Sequence, residues 1–146
     1  MPVTLQQSAT FPASPGTLYR MFLSSKEHSA ACGGQARISP RVGGKFTAWE
    51  GSLWGRTLLL KPGRMIVQSW RSSGFAASDA DSILILTFSG DAKRGKISMV
   101  HAHVPESDAD GVRKGWPLYY WKPWAAYLAQ PKRAPGKPKR RMKRSR

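Results

Sequence analysis

The chain predicts an α+β fold of order β-α-α-β6-α, in which a curved antiparallel sheet wraps around one long C-terminal helix. Three observations predict it. Six short segments rich in β-formers follow one another between 36 and 104, separated by turn residues and with no helical stretch between them. Two short helices with clear start signals precede them. A run of aromatic residues spaced mostly by three or four follows them. A long antiparallel sheet with one amphipathic helix near its end curls around that helix, so its concave face and the helix form a core or enclose a pocket.

Residues 4–10 predict the first strand. Ser14-Pro15 then reads as an N-cap followed by proline at the first helical position. Leu18, Met21 and Phe22 give that helix an apolar face at i, i+3, i+4. Ser24-Ser25-Lys26-Glu27 fits a capping box that opens a second helix, and Gly33-Gly34 stops it. The meander is predicted over 36–40, 45–50, 52–60, 65–71, 82–89 and 96–104. Its turns are Val42-Gly43-Gly44, Glu50-Gly51, Lys61-Pro62-Gly63, the polar stretch 72–81, and Ser89-Gly90-Asp91. After Pro105, Asp108 or Asp110 is expected to cap the last helix. Its apolar residues include Val112, Trp116, Tyr119, Tyr120, Trp124, Tyr127 and Leu128, and Pro123 predicts a kink or a break.

Composition bounds the function classes. The 146 residues are 40% hydrophobic, with six Trp, five Phe and four Tyr, which excludes global disorder. The net charge of +16 suggests an anionic partner until its distribution is read. Residues 131–146 hold nine basic side chains, three prolines and no acid, and are expected to form a disordered basic tail. Residues 1–130, read as one domain, keep 15 basic and 8 acidic side chains, a net +7. The tail has the composition of a nuclear-localisation or nucleic-acid patch. It lacks interleaved aromatics, so any nucleic-acid contact would be phosphate-driven and salt-sensitive. One cysteine, Cys32, excludes an intramolecular disulfide framework. The start has no signal-peptide pattern and no apolar run approaches the ~20 residues of a membrane helix, so a soluble, cytoplasmic protein is expected, with a nuclear location in a eukaryote.

The titratable residues give few catalytic signals. His101 and His103 lie two apart on a predicted strand and so are expected on one face. With only His28, Cys32 and scattered carboxylates beside them, no metal or cofactor is expected. His101 is the one weak candidate for a general acid or base in a pocket. Cys32, beside Gly33-Gly34 at a helix end, reads as a packed side chain. Gly43-Gly44 lacks the Gly-Lys-Ser/Thr ending of a phosphate loop and reads as a tight turn of positive φ. Phe46, Trp49, Trp70, Trp116, Tyr119, Tyr120 and Trp124 are expected between sheet and helix. With the polar groups of Gln68, His101 and the tyrosine hydroxyls they form the candidate ligand-binding set.

The order of several short motifs resembles a known family. They are Gly43-Gly44-Lys45-Phe46, Trp49-Glu50-Gly51, Trp54-Gly55, Leu60-Lys61-Pro62-Gly63 and the strand 66–71. His101-Ala102-His103-Val104-Pro105, Gly115-Trp116, Tyr119-Tyr120 and Tyr127-Leu128 complete the series. Together they look like the activator of heat-shock protein 90 ATPase homologue family, within the helix-grip group that includes START lipid-binding domains and the birch-pollen allergen. The resemblance covers about Phe11 to Leu128 and leaves out the tail. It implies a helix-grip fold. Its members include binders of small hydrophobic ligands, cyclases and dehydratases, and a branch that stimulates the chaperone's ATPase. The resemblance implies that this branch also uses a separate amino-terminal domain, which 146 residues are not expected to include.

The resulting expectation is a non-enzymatic helix-grip domain that binds a small hydrophobic ligand, or a protein partner such as a chaperone, in or near the cavity. The alternatives are a pocket enzyme of cyclase or dehydratase type using His101, and a nucleic-acid-associated protein acting through its tail.

Overall fold

The computed structural model describes residues 1–130, and the predicted tail at 131–146 lies outside them. The strands are β1 (Val3–Phe11), β2 (Arg37–Ile38), β3 (Lys45–Ala48), β4 (Leu53–Lys61), β5 (Met65–Ser72), β6 (Ser82–Gly90) and β7 (Gly95–Val104). They form one seven-stranded antiparallel sheet of order β1-β7-β6-β5-β4-β3-β2. The alternation of apolar and polar residues that predicts the strands also sets their register. On β6 the residues Leu84, Leu86 and Phe88 are buried, while Ile83, Ile85 and Thr87 between them are half-exposed.

The two early helices form as their local chemistry dictates. In α1 (Pro15–Leu23) the Thr17 amide donates to Ser14 Oγ at 3.2 Å, and Leu18, Met21 and Phe22 are buried. In α2 (Ser25–Cys32) the Glu27 amide donates to Ser24 Oγ, and Gly33 ends the helix at φ 84°.

The C-terminal helical run differs from expectation in two ways. It starts at Glu106, directly after Pro105, and no side chain caps it, so neither Asp108 nor Asp110 plays that part. Pro105 fixes φ near −55° and its carbonyl accepts the Asp108 amide at 3.0 Å, which starts the helix three residues before a cap at Asp108 would. The run does not break at Pro123. It passes from α3 (Glu106–Trp116) through a π turn (Pro117–Trp121) into α4 (Lys122–Ala129). Pro123 has no N–H for the Tyr119 carbonyl, and its ring would crowd that carbonyl in a regular α-helix. The π turn answers this: the Lys122 amide reaches back to the Pro117 carbonyl, and the wider turn keeps the chain helical.

Strand β7 also corrects an expectation. His103 has φ 63° and points outward, whereas His101 is fully buried. The pairing of β1 with β7 shifts between Val3 and Leu5, so the extra residue at this bulge reverses the alternation and separates the two histidines.

The concave face of the sheet supplies Ile66, Leu84, Leu86, Ile97 and Met99 to the core. The helices supply Leu18 and Phe22 from one side, and Trp116, Tyr120 and Trp124 from the other. Trp124 shows how this core locks its parts together. Its ring lies 6.1 Å from Phe11 and 6.2 Å from Phe22, and its Nε1 donates to Cys32 Sγ at 3.3 Å. One side chain thus joins β1, α1, α2 and α4.

Candidate functional site

A cleft of about 350 Å³ opens between α3 and the ends of β4 and β5, closed on its third side by the turn from β3 to β4. That turn is unusual in its backbone. Trp49, Glu50 and Gly51 have φ of 52°, 54° and 87°, three left-handed residues in succession. For the two non-glycine residues this costs on the order of 1 kcal/mol each. Local bonds hold the shape: Gly51 N–H to the Ala48 carbonyl, Ser52 N–H to the Trp49 carbonyl, and Glu50 N–H to the Gln35 carbonyl. The Gln35 amide in turn donates to Glu50 Oε2 at 2.9 Å.

The turn aims the Trp49 ring at the mouth of the cleft, where it meets Tyr119 edge to face at 5.2 Å. Gly34 makes this placement fit, because a Cβ there would lie 2.5 Å from the Trp49 ring. The Trp49 indole N–H is buried and has no hydrogen-bond partner among the described residues, a cost of about 1–3 kcal/mol.

The helical wall presents Asp108, Gly111, Val112 and Gly115. Their spacing of three and four puts them on one face of α3. Gly111 has nothing within 4 Å of where its Cβ would be, among the described residues, and leaves the wall bare there, whereas a Cβ at Gly115 would touch the Tyr119 ring at 3.5 Å. Trp70 and Leu53 line the cleft from the sheet. At its rim Ser72 Oγ donates to Asp108 Oδ2 at 3.2 Å and accepts the Gly74 amide at 3.1 Å.

Beneath these rings runs a chain of buried hydrogen bonds. Trp116 Nε1–H donates to His101 Nδ1 at 3.1 Å, and Ser82 Oγ–H donates to the Trp70 carbonyl at 2.9 Å. His101 Nε2 lies 2.8 Å from Ser82 Oγ and therefore carries the proton and donates. Both ring nitrogens are engaged and the ring is buried against Trp70 at 4.5 Å. Burial pushes His101 down to about 3, so the ring is neutral. His28 is held similarly: Nδ1 donates to the Phe22 carbonyl, Nε2 accepts from Tyr120 Oη, and burial lowers it to about 4. Burial pushes the Cys32 thiol up to about 12, which leaves it protonated.

Of the candidate ligand residues, Trp49, Trp70, Trp116, Tyr119 and Tyr120 line the cleft. Four others lie elsewhere. Phe46 is buried beside a shallow depression near β2, Gln68 donates to Thr57 Oγ1 inside the sheet, His101 sits in the chain just described, and Trp124 packs on Cys32. The lining residues absent from the candidate set are Glu50, Ser52, Leu53, Ser72, Asp108, Gly111, Val112 and Gly115. Two glycines four apart in an aromatic helix were the available signal. Among the described residues, no three His, Cys, Asp or Glu side chains come together as a metal site would need. None of the described helices is long and apolar enough to cross a membrane.

Comparison with known proteins agrees with this architecture. The solved structure of an Hsp90 activator from Plasmodium falciparum superposes with a TM-score of 0.79 at 20% identity, over 89% of this chain and 99% of that one. A protein of Chromobacterium violaceum superposes with a TM-score of 0.70 at 26% identity, over 90% of this chain and all of that one. The activator of 90 kDa heat shock protein ATPase homolog of Dictyostelium discoideum is 29% identical over 77% of this chain and 30% of its own length. The human homolog 1 is 29% identical over 82% of this chain and 35% of its own length. The chain thus spans about a third of the length of the curated relatives it matches. The model of the family described as activator of Hsp90 ATPase homolog 1-like protein matches residues 12–129, and the chain belongs to that family.

Proposed function

We propose that the chain is a binding domain that takes up a small apolar molecule in the cleft between α3 and the sheet. The observation that carries this reading is the open space at Gly111, in a cleft of about 350 Å³ that Trp49 and Trp70 also line. A cavity of roughly 300–1,000 Å³ with apolar walls and a few polar groups is the ordinary form of a small-molecule site. Binding fits better than turnover. His101, the one candidate for proton transfer, is neutral, fully buried and already bonded through both nitrogens. The test is a library of small lipids and aromatic compounds, read by thermal shift and by the backbone amide signals of Gly111 and Gly115. A library member should raise the melting temperature and move those signals, and Gly111→Leu, which projects into the cleft, should remove both effects. Silence across the library would sink the reading.

A second reading is a chaperone-linked protein contact at the same rim, in a cytoplasmic setting. The relatives are named as activators of the 90 kDa heat-shock protein ATPase, and Leu118 and Tyr119 stand 55% and 49% exposed beside the cleft. Added to that chaperone, the full chain should change its ATPase rate, and Leu118→Ser with Tyr119→Ser should reduce the change. An unchanged rate at saturating chain overturns it.

A further inference from the structure

The charge inside the cleft is opposite to that of the surrounding body. The first 130 residues carry 15 basic side chains against 8 acidic ones. Among the described residues the cleft is lined by two carboxylates, Glu50 and Asp108, and by no lysine, arginine or histidine. Of the eight acids, four pair with a cation among the described residues and four do not: Asp79 and Asp91, which accept nearby backbone amides, and these two, which alone of the four line the cleft. Glu27, Asp81, Glu106 and Asp110 each pair with a cation. Glu50 receives the Gln35 amide and Asp108 the Ser72 hydroxyl, both neutral donors, and no cation pairs with either among the described residues.

We propose that the cleft selects an organic cation, a flat apolar group bearing an amine or quaternary ammonium. The proposal rests on the ligand-binding reading and names its ligand class. Aromatic rings attract cations through their negative faces, and carboxylates attract them by charge. Trp49, Tyr119, Trp70 and Trp116 share the cleft with both carboxylates. One opposing effect needs weighing. The N-terminus of α3 contributes roughly half a positive charge, which acts on Asp108 in its first turn. Glu50 sits on the facing turn, outside that helix, so among the described residues the balance in the cleft stays negative.

The test uses the full chain and three naphthalenes of one size: 1-naphthylmethylammonium, 1-naphthylmethanol and 1-naphthoate. Each is titrated while the amide signals of Gly111 and Gly115 are followed. The cation should bind about tenfold more tightly than the alcohol, and the carboxylate most weakly. Glu50→Gln with Asp108→Asn keeps both neutral hydrogen bonds within reach, and should bring the cation to within about twofold of the alcohol. If the alcohol or the carboxylate binds as tightly as the cation, the cation preference is overturned while the ligand reading stands. A cation advantage that survives the double substitution overturns the part assigned to Glu50 and Asp108 and leaves the selection to the aromatic rings. If none of the three moves either amide, the cation proposal falls; if the broader library also leaves both signals still, the ligand reading falls with it.

Discussion

His101 holds two tryptophans in place: Trp116 donates to it, and it donates to the serine that bonds the Trp70 carbonyl. Its removal therefore costs stability as well as contacts. His101→Ala should destabilise the fold by about 2–4 kcal/mol, through a cavity and an orphaned Trp116 indole N–H, measured by urea unfolding. The two buried histidines also set a pH dependence. In the unfolded chain both titrate near 6.5, and in the fold they are lowered to about 3 and about 4. Between those values the unfolded chain takes up protons that the folded chain does not. Stability should fall as pH falls from 6.5 toward 4. From about pH 7 to about pH 5 the loss should be about 2 kcal/mol per histidine, read from unfolding midpoints at the two pH values. Gly34 gives a third case. Gly34→Ala forces a Cβ into the Trp49 ring and should cost about 1–3 kcal/mol, with a change in tryptophan fluorescence as Trp49 shifts.

At the scale of elements, the strands and early helices were legible because each rests on local rules. Alternation predicts β5, β6 and β7 to within a residue or two, and Ser14, Ser24 and Gly33 bound α1 and α2 as their chemistry requires. The C-terminal run was less legible. Pro123 signals a disturbance, but whether a helix kinks, breaks or widens depends on what the flanking turns pack against, and here Trp116, Tyr120 and Trp124 hold both sides to the core. Only the aromatic part of the cleft was legible, for a similar reason. Aromatic residues announce a core or a pocket wall, whereas a glycine's empty space has meaning only once the opposite wall is known. Gly111→Ala tests this directly. The added methyl meets no atom within 4 Å. In a helix interior it should stabilise the chain by about 0.5–1 kcal/mol, as a rise in melting temperature that leaves the cleft largely open.

For the whole molecule, charge and topology divide differently. More than half of the net +16 belongs to residues 131–146, so polyanion affinity should follow that segment and not the domain. A chain ending at Gln130 should keep its melting temperature and lose most retention on heparin at low salt; undiminished retention would assign the affinity to residues 1–130. The sheet order carries a consequence for how the chain assembles. From β2 to β7 every pairing joins neighbours in sequence, but β1 pairs with β7, with Leu5 opposite His101. The first strand emerges early in synthesis and has no partner until nearly the whole domain exists. Closing so long a loop is entropically costly, and it must precede the contacts that reward it. Phe11, Leu18 and Phe22 wait uncovered meanwhile, so the interval before β1 docks is when this chain is most exposed to aggregation.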